Sequence, residues 1–200
     1  MNKGRFESFS DGVFAFAITL LVLGFMLPAF KAVPTETELR HAILQLWPNL
    51  IAYALSFGVI GIMWQNHHAL FRVVTRIDRK LVALNLLLLA GTVIIPFATT
   101  VLGTYPTMHS STFLYGALLS YTGTIYNIML NYLIATKAFA HTVPRETLVE
   151  SRRAYLIGTL TYYIAMLLAL WMPVLSFAAY VATAIYYLIP HGVDEDLGEV

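Results

Sequence analysis

Long apolar runs separated by short polar ones set the pattern of this chain. No Asp, Glu, Lys or Arg occurs between Asp11 and Lys31, Arg40 and Arg72, Lys80 and Lys137, or Arg153 and Asp194. A helix rises about 1.5 Å per residue, so about 20 apolar residues cross the roughly 30 Å of bilayer hydrocarbon. The stretches 81–136 and 154–193 are therefore each long enough for two crossings. The pattern predicts six spans, over about 9–30, 41–71, 81–102, 110–136, 154–170 and 174–189. Thr35 and Glu38, three apart before the second span, predict a capping box. Span 2 is longer than a bilayer needs, so it tilts or projects. Spans 5 and 6 are short and read as two full crossings, with a re-entrant hairpin as the alternative. The segment Lys137–Arg153 reads as the longest polar loop and the tail from Pro190 as short and acidic.

Composition agrees with this all-α, polytopic membrane reading. Of 200 residues, 58% are hydrophobic and 12% charged, against about 25% charged in soluble domains. The whole chain, 1–200, is then one six-helix transmembrane domain, and the N-terminal run reads as an uncleaved first helix rather than a signal peptide. There is no Cys, which excludes disulfides and thiolate metal sites. The net charge of +1 comes with no dense basic run, so nucleic acid is not an expected partner. Membrane lipid is expected, and no soluble partner. With the N-terminus inside, the inner segments hold Lys3, Arg5, Arg72, Arg76, Arg79, Lys80, Lys137, Arg145, Arg152 and Arg153, while the outer ones hold only Lys31 and Arg40. This asymmetry predicts both termini in the cytoplasm.

Few polar residues inside the spans can carry chemistry. His-Glu-x-x-His, an intramembrane Ser–Lys pair and a phosphate-binding glycine loop are all missing, so no enzyme is expected. Asp78 sits in a short basic loop that topology explains. Asp11 begins span 1, where it or Ser10 either caps the helix or bonds to a neighbouring span. Near the end of span 2, Trp64, His67 and His68 share a face while Asn66 points elsewhere. That group reads as a structural hydrogen-bond network. A pH-sensitive element and a metal site are the other readings, the latter weakened by the lack of a third ligand. Asn127 and Asn131 are expected to bond across helices in the bundle. Gly12, Phe16, Thr19, Leu20, Leu23 and Leu27 form one stripe on span 1. It is either a packing seam, with Thr19 bonded back to its own backbone, or the lining of a pore.

Arg5-x-x-x-Phe9-Ser10-Asp11, followed by Gly12-Val13-Phe14-Ala15-Phe16-Ala17-Ile18-Thr19-Leu20, resembles the signature of the transmembrane protein 175 family. Trp64-Gln65-Asn66-His67-His68 resembles the polar patch of that family's second span. The resemblance implies a potassium-permeable channel of the cell membrane, built as a homotetramer of six-span subunits around a central pore. No cofactor is implied, and no metal beyond permeating potassium. Phe9, Ser10 and Asp11, with Arg5, would hold span 1 against Trp64, Asn66, His67 and His68. Phe16 would stand at the narrowest ring, where the family usually carries Ile or Leu. Thr19 would form a hydroxyl layer, and Leu20, Leu23 and Leu27 would extend the lining. The lack of a Thr-Val-Gly-Tyr-Gly filter implies modest selectivity. The alternative is a secondary or proton-coupled transporter with a cavity inside each subunit.

Overall fold

A computed structural model describes residues 2–140 and 143–187. Seven α-helices follow in order: α1 (Lys3–Leu20), α2 (Glu36–Leu44), α3 (Trp47–Arg72), α4 (Arg79–Thr104), α5 (His109–Ala135), α6 (Arg145–Leu168) and α7 (Pro173–Tyr187). Five of them have 18 residues or more, α7 has 15 described residues, and α2 is a short connector. A 3₁₀ turn, Leu21–Gly24, extends α1. Among the described residues the one β contact is an isolated bridge between Val74 and Phe139.

Local sequence explains where the helices depart from the hydropathy pattern. Asn2 caps α1, its side chain accepting from the Gly4 N–H, so the helix begins at Lys3 rather than near Phe9. Ser10 and Asp11 are therefore interior to the helix and do not cap it. At the other end the chain leaves helical geometry at Phe25, and Pro28 disfavours helical geometry at Leu27. Residues 25–30 are thus not helical, contrary to the predicted span. The predicted second span is two helices. Pro48 enters α3 in its first turn. With no N–H to give the Leu44 carbonyl, and a ring that would clash with it, it breaks α2 from α3 at Gln45–Leu46. The capping box at Thr35 is present, with Glu38 receiving bonds from the Thr35 N–H and hydroxyl. Those bonds hold the Glu38 carboxyl below its ordinary pKa, the backbone bond contributing most. Nine residues of the predicted loop 137–153 form the start of α6. They are polar, which suits a loop by hydropathy, but Arg, Glu and Leu are good helix formers and Pro144 starts the helix. That gives α6 24 residues, with its apolar part still beginning at Ala154. The end of the sixth span and the acidic tail lie outside the described residues.

The helices pack around two apolar clusters. One joins Phe14 and Ala17 of α1, and Leu21 of the turn that extends it, to Ile60, Ile95, Tyr115, Tyr162 and Tyr180. The other lies toward the start of α1 and joins Phe6 to Phe71, Leu88, Tyr126, Met129 and Tyr155. The bundle also has two distinct ends. At one, Lys3 Nζ donates to the Arg72 carbonyl, and the loops after α3 and α5 pair through Thr75 N–H to Ala138 O and Ala140 N–H to Val73 O. At the other, His109 Nδ1 bonds the Ala169 carbonyl and ties the α4–α5 turn to the α6–α7 hinge.

Candidate functional site: the two faces of the first helix

Helix α1 presents one face to the bundle and leaves the other open. Phe6, Ser10, Phe14, Ala17 and Leu21 are buried against α3 and α4. Their spacings of four, four, three and four follow the helical period. On the opposite side Phe9, Gly12, Phe16, Thr19 and Leu23 repeat at three and four, and all are exposed. Phe16 is 61% exposed and Leu23 62%, whereas Phe14 is fully covered. In a bilayer a bare apolar stripe faces lipid without cost, so what sets this one apart is the Thr19 hydroxyl on a face that otherwise carries Phe9, Phe16 and Leu23.

The predicted stripe is placed unevenly. Gly12, Phe16, Thr19 and Leu23 face outward together, and Leu20 is half-buried at its edge. Leu27 is exposed but lies beyond the helical end, so it does not continue the stripe in register. Thr19 Oγ1 donates to the Phe16 carbonyl at 2.8 Å, as a mid-helix threonine often does. That bond uses the hydroxyl proton and leaves the oxygen lone pairs on the exposed side.

Directed hydrogen bonds lock the buried face. Asp11 reaches across to α3, where Trp64 Nε1 donates to its Oδ1 at 2.9 Å. One residue earlier, Ser10 Oγ donates to the Phe6 carbonyl and accepts from Asn85 Nδ2 at 2.9 Å. The Asn85 Oδ1 can only accept, so His67 Nε2 carries a proton and donates to it at 2.9 Å. Ser10, Asn85 and His67 are all buried. The His67 ring lies among Phe6, Phe14 and Phe71. Helices α1, α3 and α4 are thereby joined by one chain of side-chain bonds.

The polar residues expected near Asp11 separate into different roles. Trp64 and His67 bond as described, but His68 is exposed, with its ring 6.1 Å from that of Trp64. Adjacent helical residues point about 100° apart, so His67 and His68 cannot act as a pair. Asn66 does not join the network. Its backbone carbonyl accepts from Tyr126 Oη at 2.8 Å, and its side chain faces an interior cavity instead. Arg5 is exposed, and Phe9 sits on the open stripe rather than in the lock. Among the described residues no cluster of three His, Cys, Asp or Glu side chains could hold a metal. Asn127 bonds across to α6, reaching Thr159 Oγ1 and the Tyr155 carbonyl, while Asn131 stays on its own helix. Sequence reasoning missed Asn85. A lone amide in the run Leu81–Leu89 is its signal, because polar groups at that depth need partners.

Three helical segments long and apolar enough to cross a bilayer, Lys3–Gly24, Glu36–Arg72 and Arg79–Thr104, define a helical integral membrane protein. Comparison with known proteins makes the class specific. The family model for the endosomal/lysosomal potassium channel TMEM175 matches residues 5–96. A protein of Streptomyces collinus described as a potassium channel is 36% identical over 193 residues, covering 94% of this chain and 92% of its own. A potassium channel of Chamaesiphon minutus is 35% identical over 197 residues, covering 94% of each. The crystal structure of a potassium-selective TMEM175 homolog from Chamaesiphon minutus superposes with a TM-score of 0.83 at 34% identity, over 93% of this chain and 96% of that one. The chain belongs to the TMEM175 family, a family of ion channels and not of enzymes.

Proposed function

We propose that this protein is a potassium-permeable channel of the cell membrane, in which four copies surround a pore lined by the open face of α1. The observation that carries this reading is the bare stripe of Phe16, Thr19 and Leu23 on a helix locked on its other side. Four-fold assembly turns each stripe inward. Phe16 then forms an apolar constriction that gates by dewetting. Thr19 lies one turn further along, and its lone pairs offer four oxygen ligands to a cation that has shed part of its water. A hydroxyl whose proton is already committed favours cations over anions. Without a carbonyl-lined filter, discrimination rests on pore width and this layer, so selectivity is modest. No cofactor takes part, and potassium is the permeant species.

Six crossings with both termini in the cytoplasm fit the packing. The N-terminal end of α1, the loops after α3 and α5 and the helix ends flanking those loops meet at one end of the bundle, and together they hold Lys3, Arg5, Arg72, Arg76, Arg79, Lys80, Lys137 and Arg145. The positive-inside rule makes that end cytoplasmic. Asp11 then lies near the inner mouth, where its carboxylate raises the local cation concentration.

The carrier reading requires a cargo site inside each subunit. Open hollows of about 290, 310 and 830 Å³ lie beside Asp78, Ile51 and Arg145, whereas the one between the helices, bordered by Asn66, Asn127, Thr159 and Tyr162, has a volume of about 60 Å³. That is room for a few waters, and it lies away from the open face of α1. The deciding experiment is potassium flux from loaded vesicles containing purified protein, with oligomer mass measured alongside. The channel reading predicts a tetramer and a flux that rises linearly with gradient. Saturable exchange by a monomer contradicts it.

A further inference from the structure

The lock at the start of α1 has a counterpart at the other end. The turn Leu21–Gly24 stops the helix, and the corner it makes with Phe25 is gripped from two sides. From the first turns of α3, Asn49 Nδ2 donates to the Gly24 carbonyl at 3.3 Å. Tyr53, one turn further on α3, sets its ring 5.3 Å from that of Phe25. Residues four apart share a helix face, so one face of α3 holds both halves of the corner. Helix α4 closes the other side. A Cβ on Gly24 would lie 2.9 Å from Thr100 Oγ1, and one on Gly103 would lie 2.8 Å from Asn49 Cα and Nδ2. Glycine at 24 lets α1 reach α4, and glycine at 103 leaves the seat for Asn49.

We infer that Asn49, Tyr53 and Gly24 form an outer clamp that sets how far the last turn of α1 stands from its neighbours, and so fixes the width and selectivity of the outer pore. This rests on the reading of α1 as the pore helix. None of the three touches the ion path; they act through Leu23, which the same turn presents on the open face, and are positioning residues. The inner lock is built from side-chain-to-side-chain bonds, those of Ser10, Asn85 and His67 among buried groups and that of Asp11 with Trp64 at the surface. The clamp instead uses one long bond to a backbone carbonyl, one ring contact and two close approaches at glycine. Of the two ends, the outer one is held by the weaker bond and yields first to substitution.

The chain has no Cys, so Leu23→Cys and Gly12→Cys each report one end of α1 in an otherwise thiol-free protein. The probe is a cationic, membrane-impermeant methanethiosulfonate, with modification rates read by intact mass. Adding Asn49→Leu is expected to change the Leu23→Cys rate by about five-fold or more, the population shift that one net hydrogen bond commands. The Gly12→Cys rate stays unchanged, and the potassium-to-sodium flux ratio moves while the melting temperature falls by no more than a few degrees. Should Asn49→Leu fail to fold, Tyr53→Leu, which removes only the ring contact, serves in the same comparison. An unchanged Leu23→Cys rate in the folded variant overturns the clamp. If the unsubstituted protein passes no potassium, the channel reading fails while the modification rates still decide the clamp.

Discussion

The first and second halves of this bundle use polar groups differently. In α1, α3 and α4, side chains bond one another across helices: Asp11 to Trp64, Asn85 to Ser10, and His67 to Asn85. In α5–α7 side-chain pairs such as Asn127 with Thr159 occur too, but Tyr121, Tyr126, Tyr180 and Tyr187 each donate to a backbone carbonyl. A bond to a carbonyl depends on backbone position more than on the identity of the residue that supplies it. A bond between two side chains needs both residues. The first half also carries the open stripe, and the family model matches residues 5–96, ending within α4. Function on this view resides in α1 and the two helices that hold it, with α5–α7 as a supporting wall.

The most damaging test of this contrast is Asn85→Leu. It strands Ser10 from α4 and leaves buried His67 without its acceptor, so unfolding titration in mixed micelles should show a loss of about 3 kcal/mol. A loss below about 1 kcal/mol would remove the distinction between the halves. Phe16→Ala comes next. It leaves the lock intact, so stability should hold while potassium flux rises severalfold and selectivity falls, as measured in vesicles. Trp64→Phe deletes one charge-assisted donor to a half-exposed carboxylate and should cost about 1 kcal/mol. The matching change in the second half, Tyr163→Phe, removes a partly exposed bond to Thr124. It should stay within about 0.5 kcal/mol and leave flux unaltered.

The smallest effect concerns acid. Tyr132 Oη donates to Asp78, which with the Leu81 N–H holds that loop carboxyl below its ordinary value of 3.8. A depressed folded pKa adds stability above the unfolded value, and this is lost as pH falls through the folded one. Tyr132→Phe should therefore flatten the decline in stability below pH 3.8, with solvent exposure keeping the change slight. A difference from the unsubstituted protein that persists undiminished well below pH 3.8 would contradict the assignment.

Much of this was legible in the sequence, and the misses share a cause. Gaps between charges locate membrane segments because hydrocarbon tolerates no isolated charge, and they placed α4 and α5 within two residues at each end. The capping box and the reach of Asp11 to Trp64 were readable from short spacing and from the need of edge polar groups for partners. Hydropathy cannot see a break between two apolar helices, so Pro48 went unused and 41–71 read as one span. It equally mistakes charged helix formers for a loop, which hid the first turns of α6. Side chains whose role depends on which helix lies opposite were beyond reach. Asn66 is next to His67 in sequence but faces a cavity, whereas Asn85, far away, completes the lock. Asn49 likewise gained its meaning only from Gly24 and Gly103.

The central claim is that ions pass along the open face of α1 and not through the subunit interior. Single cysteines placed at 12, 14, 16, 17, 19, 21 and 23 of the thiol-free chain test it directly, each treated with a cationic thiol reagent during potassium flux from vesicles. The account predicts block at positions 12, 16, 19 and 23, and none at 14, 17 and 21, which face α3 and α4. Block without helical periodicity, or block at the buried positions alone, would contradict it.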